Sequence, residues 1–215
     1  LPFFLANLNI SFTDSIFESM SGITTTGSTI LSNIKSMPEG ILLWRGLLQW
    51  IGGVGIIVMA ISILPVLQVG GMQVFRTESS DTTEKILPRT AQVSFAVIII
   101  YLSLTVLCFI SYWLSGMRLF ESLVHSMTTI ATGGFSTRND SFASFNNRST
   151  EYIAILFMIL SSLPILIYLE VTRNGIKSFF RDTQIKTFLI IIFVSSLLVI
   201  SYLWIFDLKN FEQSL

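Results

Sequence analysis

Four stretches of this 215-residue chain carry no Asp, Glu, Lys or Arg: 46–75, 90–117, 152–169 and 187–206, the shortest 18 residues long. A helix needs about 20 apolar residues to cross a bilayer core, so each stretch predicts a membrane-spanning helix. Two further uncharged stretches, 19–34 and 122–137, have 16 residues each. They are too short to cross and predict re-entrant or interfacial segments. Each opens at the serine of the same tripeptide, Phe17-Glu18-Ser19 or Phe120-Glu121-Ser122, and carries a threonine-rich stretch ending in glycine, Thr24-Thr25-Thr26-Gly27 or Ile130-Ala131-Thr132-Gly133-Gly134. Aligning the tripeptides gives an internal repeat of roughly 100 residues. From that Phe to Gly27 or Gly133 the copies then differ, by 10 positions against 13, so their short helices or loop entries are expected to differ in length.

The first half of each short run predicts a helix, with Ser15-Ile16-Phe17-Glu18 as a capping box and Glu18 and Glu121 near the helix starts, where the macrodipole favours acids. Three consecutive threonines and two consecutive glycines are poor helix interiors, so extended or irregular backbone follows. Such backbone cannot face lipid and must be buried in protein or line a wet cavity. Carbonyls lining a cavity, with the negative end of a short helix behind them, suit a dehydrated cation.

The expected organisation is an all-α membrane protein of repeated units: outer helix, pore helix, filter loop, inner helix. Residues 1–70 form the first repeat, with 1–7 the tail of an outer helix, 14–24 a pore helix, 25–31 a filter-like strand and 43–68 an inner helix. The second repeat is 71–172, with 90–114 outer, 118–130 pore, 131–137 filter and 150–171 inner. Residues 173–215 begin a third, with 187–206 as its outer helix and Phe211-Glu212-Gln213-Ser214-Leu215 opening its pore helix. The start at Leu1-Pro2-Phe3-Phe4 and the stop after the fourth span predict a fragment. With both filters on one side, the loops 70–89 and 172–186 carry seven basic residues (Arg76, Lys85, Arg89, Arg173, Lys177, Arg181, Lys186), against six on the filter side. That bias faces the filters outward.

Composition agrees. The chain is 52% apolar and 12% charged, against about 25% charged in soluble domains. Thirteen basic residues balance thirteen acidic ones with no basic tract, which excludes nucleic-acid binding by charge. Covalent chemistry finds few tools: one histidine, one cysteine and no acid inside any span exclude an ordinary membrane enzyme.

These units, with Ser21-Gly22-Ile23-Thr24-Thr25-Thr26-Gly27-Ser28-Thr29, Leu48-Gln49-Trp50-Ile51-Gly52-Gly53-Val54-Gly55-Ile56-Ile57-Val58, Val69-Gly70-Gly71-Met72-Gln73 and Thr128-Thr129-Ile130-Ala131-Thr132-Gly133-Gly134-Phe135-Ser136-Thr137, resemble the Trk/Ktr/HKT superfamily of potassium transporters, most closely its bacterial TrkH-type subunits. The resemblance implies potassium transport in the bacterial inner (plasma) membrane, without a covalent cofactor, through a pseudo-fourfold pore once four repeats surround one axis. It implies that the backbone around Thr24, Thr25, Thr26 and Gly27, and around Ile130, Ala131, Thr132 and Gly133, coordinates the ion. Gly27 and Gly133 are then expected at positive φ, which glycine adopts freely. It further implies a homodimer, lipid contact and a ring of cytosolic nucleotide-binding regulatory subunits. The alternative within transport is a secondary carrier for another small cation or solute, which commonly holds an acid inside a span.

The other conspicuous residues have ordinary roles. Cys108 is a packing residue. Gly52-Gly53-Val54-Gly55 lacks a nucleotide fingerprint's spacing and predicts close helix packing. His125 is expected in a hydrogen-bonded packing role. Glu18 and Glu121 either raise local cation density, brace the filter loops or simply favour the helix starts. Arg45, Glu151 and Glu170 sit at span ends and are expected to snorkel. Pro65 and Pro164 are expected to kink the inner helices. The Asn9, Asn139 and Asn147 glycosylation patterns are taken as accidental.

Overall fold

The computed structural model describes residues 2–6, 10–67 and 83–205, which are helices, turns and irregular segments with no strand among them. The glycine pair at 70–71, Arg76 and the start of a third pore helix at 211–215 lie outside the described residues.

Residues 1–165 form one compact unit. It contains α1 (Pro2–Leu5), α2 (Phe12–Ile23), α3 (Glu39–Leu67), α4 (Thr83–Leu114), α5 (Leu119–Ile130) and α6 (Arg148–Ser162), with single 3-10 turns at Ile34–Ser36 and Ser141–Phe145. Glu39–Met59 in α3 and Gln92–Leu114 in α4 are long and apolar enough to cross a membrane. The short helices α2 and α5 have 12 residues each. In the first unit α3 packs on α2, α4 and α5, and α5 also packs on α4 and α6.

The expected span at 152–169 is not one helix. It divides into α6 and α7 (Ile165–Asn174) at Leu163-Pro164. Leu163 is extended, with ψ 149°, because the proline ring excludes the preceding residue from helical backbone. At 15 residues, α6 is about 22 Å long, short of the ~30 Å hydrocarbon core. The other proline, Pro65, falls within the continuous run of α3.

Inside a membrane, apolar surface gains little by leaving lipid, so close packing and interhelical hydrogen bonds hold helices together. Tyr101, Cys108 and Tyr112 line one face of α4 and form a buried cluster with Met117, Ile130, Ala154 and Phe157. Cys108 is the packing residue expected, free and buried. The Trp50 indole donates to the Thr105 hydroxyl at 3.1 Å, the Tyr101 hydroxyl donates to the Trp50 carbonyl at 3.0 Å, and Tyr112 and Thr129 share a hydroxyl–hydroxyl bond of 2.9 Å.

The expectation of glycine packing holds at two of its positions. A Cβ on Gly52 would collide with the Ile23 carbonyl at the end of α2, and one on Gly53 would lie 2.8 Å from the Tyr101 hydroxyl and 3.2 Å from Ala131. Gly55 faces open space. Glycine therefore brings α3 against the C-termini of both short helices.

The second unit, residues 166–215, holds most of α7, then α8 (Lys177–Arg181) and α9 (Thr183–Ile205). The Asp182 carboxylate caps α9 by accepting from the backbone N–H of Gln184 at 2.7 Å and of Ile185 at 3.2 Å. Thr183–Trp204 is the third described helix long and apolar enough to span.

Candidate functional site

The site is built on the two short helices. At the start of α2, Ser11 and Asp14 form the capping box: the Ser11 hydroxyl accepts from Asp14 N–H at 3.1 Å, and the Asp14 carboxylate accepts from Ser11 N–H at 3.0 Å. The expected box at Ser15 and Glu18 is one turn too late, since helix begins at Phe12 and the Ser15 hydroxyl donates back to the Ser11 carbonyl. Asp14 in α2 and Glu121 in α5 are the first-turn acids.

Both short helices end alike. Thr25 N–H donates to Gly22 O and Thr26 N–H to Ser21 O, each at 3.0 Å; Thr132 N–H donates to Thr129 O at 3.0 Å and Gly133 N–H to Thr128 O at 2.9 Å. This crossed pair of bonds is a Schellman motif, whose turning residue is left-handed. Glycine usually stands there, but here it is threonine in both copies, Thr25 with φ 55° and Thr132 with φ 52°. A β-branched residue in that region is strained by about 1–2 kcal/mol. Two residues later each chain turns through a second positive φ, Gly27 at 77° and Gly134 at 80°.

The register of the repeat is thereby corrected. An offset of 107 residues carries Phe12 to Leu119 and Ile23 to Ile130, and every bond of the two motifs with it. The tripeptides imply 103, but they are not equivalent positions: Glu121 corresponds to Asp14, and Glu18 to His125. No difference in helix length remains. In the second loop the counterpart of Thr24-Thr25-Thr26-Gly27 is Ala131-Thr132-Gly133-Gly134, with Ile130 the last residue of α5. The expected positive φ at Gly27 is present, whereas in the second loop it falls on Gly134 instead of Gly133.

Neither loop is a strand as expected at 25–31. Both are irregular segments held by side chains. In the first loop Glu18 accepts from the Thr29 hydroxyl at 2.9 Å and from Ile30 N–H at 3.3 Å. In the second, His125 joins the Ser136 hydroxyl at 3.0 Å through Nε2, while Nδ1 meets the Glu121 carbonyl at 2.8 Å. Glu121 accepts from Arg138 Nε at 2.8 Å. Of the roles open to the two glutamates, loop bracing is the one with contacts, and His125 has the hydrogen-bonded packing role expected of it.

Arg45 does not snorkel. It is 1% exposed, paired through Nε with Glu18 at 2.9 Å, and donates to the Thr29 hydroxyl at 3.1 Å and the Ser136 carbonyl at 3.2 Å. Its guanidinium lies 4.1 Å from the Phe135 ring centre. One turn further along α3, Gln49 donates to the Gly133 carbonyl at 2.6 Å and accepts from Phe135 N–H at 3.1 Å. Sequence patterning missed both, since a polar residue at the edge of an apolar run carries no mark of the loop it will reach. Asn139 and Asn147 are also engaged, Asn139 accepting from Ile34 N–H at 2.8 Å and Asn147 capping α6.

The loops differ in cover. Ala131, Gly133, Phe135, Ser136 and Thr137 are buried, while Thr24, Thr26, Ser28 and Thr29 are exposed. Among the described residues no donor reaches the carbonyls of Thr24, Thr25, Thr26 or Thr132. The arrangement therefore presents free carbonyls just beyond the negative ends of two helices, a setting that attracts cations.

Comparison with known proteins matches residues 1–210 to the TrkH family, described as cation transport protein. The chain is 43% identical over 193 residues to the Trk system potassium uptake protein TrkI of Halomonas elongata, covering 89% of this chain and 39% of that protein. It is 38% identical over 208 residues to the Trk system potassium uptake protein TrkH of Escherichia coli K12, covering 95% and 43%. The crystal structure of the potassium transporter TrkH from Vibrio parahaemolyticus is similar with a TM-score of 0.84 and 35% identity, over 97% of this chain and 42% of that one. The chain thus spans about two-fifths of the length of these relatives.

Proposed function

Because this chain belongs to the TrkH family of cation transport proteins, a family of membrane transporters and not of enzymes, we propose that it is part of a potassium uptake protein and that its two loops form part of the ion filter. The observation that carries the proposal is the duplicated helix ending: a Schellman turn on a strained threonine whose carbonyl is unclaimed, then a positive-φ glycine. The filter residues are Thr24, Thr25, Thr26 and Gly27 in the first loop and Ala131, Thr132, Gly133 and Gly134 in the second, with Ile130 closing the helix before them. The backbone oxygens left free in these loops, those of Thr24, Thr25, Thr26 and Thr132 among them, replace the hydration shell of potassium, and repulsion between neighbouring ions moves each along. The relatives' names as potassium uptake proteins support this substrate.

Two further repeats complete a pseudo-fourfold ring around one axis. The protein sits in the bacterial inner membrane with its filters outward, as a homodimer in contact with cytosolic nucleotide-binding subunits. The test is ion flux by the complete protein in liposomes, with potassium and sodium compared. Sodium entering as readily as potassium, or no entry of either, sinks the proposal.

A further inference from the structure

On the premise that residues 131–134 line the potassium path, we propose that Gln49 is a positioning residue for ion discrimination: its buried amide stands in for a neighbouring strand and fixes which way the Gly133–Gly134 peptide points. That peptide lies between two glycines, so no Cβ on either side resists its rotation. In the first loop Thr26-Gly27 occupies the same place and has one glycine fewer. The looser loop is the one that is clamped.

The clamp has two points. Gln49 Nε2 donates to Gly133 O at 2.6 Å, and Phe135 N–H donates to Gln49 Oε1 at 3.1 Å. These groups flank Gly134, as do the carbonyl and N–H that a parallel strand would engage. Only one orientation of the amide satisfies both. Gln49 is fully buried, so water does not compete for either bond. A Cβ on Gly133 would fall on the Gln49 amide, so glycine at 133 makes room for the clamp, not for a left-handed turn. Arg45, four residues earlier, holds the Ser136 carbonyl from the same helix. The first repeat's long helix therefore sets the backbone of the second repeat's loop, directing the carbonyl of Gly133 toward α3 and leaving that of Thr132 free.

The test uses the complete protein in liposomes, measuring the ratio of potassium to sodium flux alongside the melting temperature. Gln49→Met keeps the side chain's length and removes both hydrogen bonds. Gln49→Glu keeps the acceptor for Phe135, loses the donor to Gly133, and serves if the Met variant does not fold. The expected result is about a tenfold fall in the flux ratio in folded protein, the factor that corresponds to about 1.4 kcal/mol. A lowered melting temperature with an unchanged ratio marks Gln49 as structural only and overturns the inference. A wild-type protein that does not select potassium overturns the premise as well, so the two failures are distinguishable.

Discussion

Glu18 and His125 occupy the same position in their respective repeats, and each reaches from its short helix to a hydroxyl eleven residues later, Thr29 for the one and Ser136 for the other. The chemistry differs and the geometry does not. Glu18 is an anion and draws in the Arg45 guanidinium, which then also touches both loops. One buried cation thereby links two structurally equivalent braces.

Removing one partner of the Arg45–Glu18 pair leaves a charge buried without compensation. Arg45→Met or Glu18→Gln is expected to cost about 3–5 kcal/mol. The melting temperature of the purified protein in detergent checks this. Combining the two substitutions should recover part of the loss, and a double variant as unstable as the sum of the singles would show that the pair is not the source.

Gly27 and Gly134 share a left-handed backbone and differ in surroundings. A Cβ at Gly27 would run into the Gly133 carbonyl, while one at Gly134 meets nothing within 4 Å. Gly27→Ala is therefore expected to abolish selective potassium flux in liposomes. Gly134→Ala should bear only the conformational strain of about 1–2 kcal/mol and lower the flux ratio less than Gly27→Ala does. Equal effects would argue against direct contact between the loops.

The same logic separates two glycines of α3. Gly52→Ala drives a methyl into the Ile23 carbonyl, and Gly55→Ala enters open space. The first is expected to lower the melting temperature sharply. The second should leave it unchanged or raise it, alanine being favoured over glycine in a helix by about 1 kcal/mol.

His125 has both ring nitrogens engaged in a buried site. His125→Leu leaves the Ser136 hydroxyl with only the bond it accepts from Arg138 N–H and is expected to cost about 1–3 kcal/mol. The pH profile of potassium flux in the folded variant should match wild type from about pH 6 to about pH 8, where a free imidazole titrates. A profile that flattens on substitution would instead make His125 a proton carrier.

The helices were legible because charge is excluded from lipid: the uncharged runs located α2, α3, α4, α5 and α9. Register was harder. Phe17-Glu18-Ser19 and Phe120-Glu121-Ser122 match residue for residue, yet a three-residue identity on a helix surface is not constrained to the same turn. The better signal was Met20, Ile23, Thr25 and Gly27 against Met127, Ile130, Thr132 and Gly134, spaced alike through the Schellman turn that both loops must make. The capping serine at 11 was also readable, with Asp14 three residues on. Pro164 announced an interruption, though not that it would divide a span in two. Arg45 and Gln49 were not legible. Arg45 pairs with Glu18, 27 residues before it, and reaches Ser136, 91 residues after it, and Gln49 reaches Gly133, 84 residues on; no local pattern encodes contacts at those separations.

The burial of the second loop bears on how such a protein is made. Apart from the local bond from Arg138 N–H to the Ser136 hydroxyl, the groups that hold residues 133–136, namely Gln49, Arg45, His125 and the Thr128 carbonyl, precede that loop in the chain. On a chain synthesised from its N-terminus, the second loop finds its mould already cast when it emerges. The first loop is made earlier, and part of what adjoins it, the backbone at Gly133, does not exist until more than a hundred residues later.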